Sequence, residues 1–66
     1  MDEITMYRQR AQQENKLMRQ HIAAAHYYRS VRDVDMFSEH MLTAFTYAKW
    51  YNNDVSHLKS IGGSLE

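Results

Sequence analysis

The chain has no cysteine and no proline, and its two glycines are adjacent, at Gly62 and Gly63. Each absence excludes something. Without cysteine there is no disulfide to staple a 66-residue chain, no thiolate nucleophile and no thiolate metal site. Without proline, and without glycine before Gly62, no helix breaker stands between Met1 and Ile61. No apolar run reaches the roughly 18 residues that a membrane-spanning helix needs. Met1-Asp2-Glu3 is acidic and opens no apolar segment, so the start does not read as a secretion signal. Cytoplasmic residence is the expectation, in line with the missing cysteines.

Neither sign of charge dominates, with 8 Lys+Arg against 8 Asp+Glu. The two halves differ, however. Arg8, Arg10, Lys16, Arg19, Arg29 and Arg32 outnumber the acids of residues 1–32, whereas Asp33, Asp35, Glu39, Asp54 and Glu66 outnumber the bases of residues 33–66. Two antiparallel helices of opposite charge would pack side by side, a modest preference because exposed pairs are individually weak.

What the sequence does contain is helical periodicity. Phe37, Met41, Ala44, Ala48, Tyr51, Val55 and Leu58 follow one another at alternating intervals of 4 and 3. At 3.6 residues per turn these side chains share one face, so the segment is a helix that buries that face. Ala44 and Ala48 are expected where the helices approach most closely. An earlier helix is expected from about Glu3 to Arg29, with an apolar face of Ile4, Tyr7, Ala11, Met18, Ile22 and Ala25, and Tyr28 at its margin. The polar stretch Gln12–Lys16 interrupts that face and puts Glu14 at a core position.

The stripe positions 4, 11, 18, 25 and 37, 44, 51, 58 belong to different registers, because the step from 25 to 37 is not a whole number of heptads. One continuous coiled coil is therefore disfavoured, and the break is placed between Arg29 and Asp35. Asp33 or Asp35 is expected to cap the second helix, which should run from about Asp35 to Ser60 with Gly62 as its stop. The fold class is all-α: an antiparallel two-helix hairpin over residues 1–61, followed by a flexible tail at 62–66. Leu65-Glu66 carries no functional weight, since a cloning remnant would look the same.

A lone hairpin of this size is short of core. A chain this small buries only about 60% of its unfolded surface and needs another source of stability. The second helix also carries more apolar surface than one partner helix covers: Met36, His40, Thr43, Tyr47 and Trp50 form a second stripe, and Leu42 and Phe45 extend the opposite flank. Met36, Phe45, Tyr47 and Trp50 are the candidate interface, for a second copy that completes a four-helix bundle or for a different protein.

No motif here carries chemistry. His21 and His26 are five apart and point to different faces, no His-x-x-x-His pair occurs, and the Glu-x-x-His pattern of di-iron bundles is absent. Folding about Arg32–Asp33 is expected to bring His26 near His40, with proton binding near neutral pH as its consequence. Asp54 and His57 could share a face. The acids sit where helix capping explains them, and no serine or threonine has a partner histidine at a useful spacing. An enzyme, a metal site and a cofactor are all unexpected.

The function expected is that of a small non-enzymatic protein–protein interaction module, a homodimer that regulates or inhibits a partner protein by docking. Its size suits a phage or accessory-gene product. The alternative is an RNA- or DNA-binding dimer that tracks phosphates with Arg8, Gln12, Lys16 and Arg19, which lie on one strip of the first helix. In layout, though in no sequence motif, that plan is similar to the repressor-of-primer type of RNA-binding hairpin. Zero net charge argues against a dedicated nucleic-acid binder.

Overall fold

The computed structural model describes residues 2–66. Two helices, α1 (Glu3–Ser30) and α2 (Val34–Ser60), pack antiparallel into a rod of 44 × 15 × 15 Å. Asp2 caps α1: its Oδ1 accepts from the Thr5 N–H at 2.7 Å and its Oδ2 from the Thr5 hydroxyl at 3.1 Å. Those two donors hold the Asp2 carboxyl below the usual carboxylate range. Of the two expected caps for α2, Asp33 is the one used, accepting from the Met36 N–H at 3.1 Å.

Both helices end in the same way. The Asp33 N–H donates to the Tyr28 carbonyl at 2.9 Å and the Arg32 N–H to the Arg29 carbonyl at 3.1 Å. At the other end the Gly63 N–H donates to Leu58 O at 2.9 Å and the Gly62 N–H to Lys59 O at 3.1 Å. These are paired Schellman closures, which need a left-handed residue just past the helix. Gly62 supplies it at φ +84, as expected, but Arg32 supplies it at φ +60. An arginine there stores backbone strain, and the turn therefore carries no glycine signature in the sequence.

Four apolar residues are buried among those described: Ala11, Ala25, Ala44 and Leu58. Three are alanines, so the helices approach closely but bury little side chain. The expected α2 stripe is right in direction, with Ala44 and Leu58 at its centre, while Phe37, Met41, Ala48, Tyr51 and Val55 are only half-buried. The seam is displaced from that stripe toward Asp54, which is 6% exposed. Residues 62–66 lie back against the helices. A side chain at Gly63 would stand 2.5 Å from the Leu58 Cδ1 and 3.0 Å from the Ile4 Cγ2, so glycine permits that approach. No helix among the described residues is long and apolar enough to cross a membrane.

Candidate functional site

The residues singled out from the sequence fall on two flanks of the hairpin. Met36 and Phe45 are nine positions apart, about half a turn around α2 once whole turns are removed. Phe45 accordingly stands on one flank and Met36, Tyr47 and Trp50 on the other.

On the first flank, Phe45 joins Met18, Ile22, Met41, Ala44 and Ala48 around a groove of about 180 Å³ lined by apolar side chains alone. Phe45 is 67% exposed and Leu42, one turn before it, is 70% exposed. Ala48 stands half-exposed at this groove rather than at the closest approach of the helices, because the seam lies toward Asp54. Met18 and Ile22 were legible as α1 core residues, but that they form a wall with Phe45 depends on how the helices pair.

On the second flank, the Tyr47 and Trp50 rings meet edge to face at 5.5 Å, and Trp50 is 51% exposed. Beside Trp50 opens a cleft of about 380 Å³ lined by Arg10, Glu14, Asn53 and Asp54. The two carboxyl groups face one another from α1 and α2. Arg10 Nη2 lies 3.5 Å from Asp54 Oδ1, while Asp54 Oδ2 and Glu14 Oε1 are buried without a protein partner. Burial, then a hydrogen bond to Asp54, then the Asp54 charge push Glu14 from 4.5 up to about 7, against the pull of Arg10.

The Glu14 shift has a definite sign in stability. The folded chain holds the Glu14 proton more tightly than the unfolded chain, so this contribution is complete below about 4.5 and is lost as pH rises through about 7. Glu14→Gln should remove that slope. Urea unfolding at pH 5 and pH 8 should show the wild type losing about 1–2 kcal/mol more than the variant, less than the whole shift implies because water screens a half-exposed group. Equal slopes in the two chains would place the proton elsewhere.

The basic strip is partly engaged. Arg8 Nε donates to the Ser64 carbonyl at 2.8 Å and Gln12 Nε2 to the Leu65 carbonyl at 3.0 Å, so the C-terminal segment lies along this part of α1. Lys16 and Arg19 are exposed.

The histidines depart from expectation. His26 is exposed, and His21 is the one that meets His40, with 2.9 Å between their Nδ1 atoms. His21 and His26 stand about 140° apart around α1, and only His21 is on the flank that faces His40. Asp54 and His57 also part company: Asp54 turns to Arg10, whereas His57 Nε2 lies 3.1 Å from Glu3 Oε1 and its ring packs on Tyr7 with centroids 4.2 Å apart.

The chain matches no protein-family model, no curated protein and no solved structure.

Proposed function

We propose that this chain is a non-enzymatic interaction module that works as a homodimer and regulates or inhibits a partner protein by docking. The observation that carries the reading is the mismatch between core and surface. Leu42 and Phe45 are 70% and 67% exposed beside an all-apolar groove, while three of the four buried apolar residues are alanines. A second copy, packed about a twofold axis with each Phe45 seated on the other's groove, would cover this flank and complete a four-helix bundle. The opposite flank, with Met36, Tyr47 and Trp50, would remain for the partner. Exposed aromatics carry much of the energy in such contacts.

Sedimentation at micromolar concentration tests the dimer. The wild type should sediment at about twice 7.9 kDa, and Phe45→Arg should shift it to monomer while helicity is kept. A compact wild-type monomer removes the dimer. For the docking surface, capture from the native host should survive high salt and be lost in Trp50→Ala.

The nucleic-acid reading makes the opposite forecast: phosphate binding falls steeply as salt rises. It rests mainly on Lys16 and Arg19, since Arg8 and Gln12 already hold backbone carbonyls of the C-terminal segment. The docking reading is favoured for that reason.

A further inference from the structure

His21 on α1 and His40 on α2 meet at the second flank, with ring centroids 5.1 Å apart and Nδ1 atoms 2.9 Å apart. Both rings are held from the side. Tyr47 stacks on His21 at 5.8 Å and 19°, and Tyr28 stacks on His40 at 5.4 Å and 9°. The cleft they open, of about 240 Å³, is also lined by Met36, Glu39 and Thr43. Met36 precedes His40 by four residues and so lies one helical turn away on the same face.

Two unprotonated nitrogens do not sit with their lone pairs opposed at this distance. In the free chain one ring therefore donates its Nδ1–H to the other. A metal ion that displaces that proton gains two imidazole ligands already in place.

We propose that His21 and His40 form a copper site, with the Met36 thioether as the third ligand and the Glu39 carboxylate at the rim. Two nitrogens each about 2.0–2.1 Å from one ion lie about 2.9 Å apart when they subtend a right angle, and about 3.3 Å apart in a tetrahedron. The 2.9 Å contact is the hydrogen bond of the free chain, and it leaves the two nitrogens within the span that a single ion bridges. Ligand chemistry selects the metal. Copper binds nitrogen ligands more strongly than either neighbour in the divalent series, and a thioether suits its reduced state. Among the described residues no three His, Asp or Glu groups gather about one point, so the site depends on its two imidazoles and the sulfur. A bound ion would link α1 to α2 across the seam, stabilising the hairpin in proportion to its occupancy. The site shares Met36 with the proposed docking flank, but its metal titration needs no partner protein and so fails or succeeds separately.

Calorimetric titration of the full chain with Cu(II), Ni(II) and Zn(II), in a buffer without coordinating groups, tests the site. One Cu(II) per chain is expected, with Kd at or below about 10 μM and weaker binding of the other two. Electron paramagnetic resonance should show two nitrogen ligands. His21→Phe and His40→Phe retain an aromatic ring between the tyrosines and should each weaken Cu(II) at least about tenfold, while His26→Ala should leave it unchanged. Met36→Leu should weaken Cu(I) selectively. No saturable Cu(II) binding by about 100 μM, or equal affinity in the His21→Phe and His40→Phe chains with helicity intact, would overturn the site. Unchanged Cu(I) affinity in Met36→Leu would remove the sulfur ligand.

Discussion

Replacing Leu58 with alanine is expected to cost about 2–5 kcal/mol, the largest loss from any single side chain in this protein. Leu58 is 0% exposed and is the only fully buried side chain larger than alanine among the described residues. It lies in the last turns of α2, against the Gly63 backbone, with Ile4 from the first turn of α1 also close to Gly63. Truncation leaves a cavity where three segments converge: the start of α1, the end of α2 and the C-terminal segment. That segment is otherwise tied by two hydrogen bonds, from Arg8 to Ser64 O and from Gln12 to Leu65 O. Small chains have only a few kcal/mol of stability, so the variant should be largely unfolded at room temperature. Urea titration followed by circular dichroism measures the change. A loss under about 1 kcal/mol would mean that the C-terminal segment does not cover Leu58 in solution.

The second large effect separates two alanines that sequence periodicity treats alike. Ala44→Leu should cost about 1–3 kcal/mol, because Ala44 is 3% exposed at the seam and the added atoms have to force the helices apart. Ala48→Leu should be close to neutral. Its side chain borders the apolar groove beside Met41 and Phe45, where the added methyl groups meet open space. Thermal unfolding of the two variants at one chain concentration makes the comparison, since dimer formation would shift both midpoints. A larger loss in Ala48→Leu than in Ala44→Leu would move the seam back onto the stripe as the sequence draws it. If the groove is the dimer surface, Ala48→Leu should also change the dissociation constant, which sedimentation reads independently.

The candidate surfaces were only partly legible. The candidate residues on the second helix could be named from spacing, since they fall outside the main stripe, but that Tyr47 stacks on His21 of the first helix could not. Their division between two flanks required the position of the seam, and Phe45 had to be separated from Met36, Tyr47 and Trp50. The His21–His40 contact shows the limit more sharply. The two residues are 19 apart, so no local pattern signals them. A fold drawn about Arg32–Asp33 selects His26 instead, because sequence distance from the turn ignores which side of the helix a residue faces. Glu14 is the converse case. It was visible as a carboxylate at a core position, but its partner Asp54 was not, since Asp54 lies on the edge of the α2 stripe.

The sequence by itself determined the helices, their ends to within a residue, and the break between them. Those features depend on local chemistry: period, capping carboxylates, and the absence of glycine and proline from the interiors. Gly62 as stop follows from the same source, and so does an aspartate cap at position 33 or 35, between which the structure decided for Asp33. Tertiary structure alone decided which side of each stripe forms the seam, and with it every cross-helix pair. Rotating α2 by a few tens of degrees changes no local interaction, yet it decides whether Ala48 or Asp54 is covered and whether His40 meets His21 or water. The helices settle at the rotation that sets Ala11, Ala25 and Ala44 in the seam, because close packing of small residues favours short interhelical distance. The remaining apolar surface lies where that choice leaves it, on the two flanks that carry the proposed function.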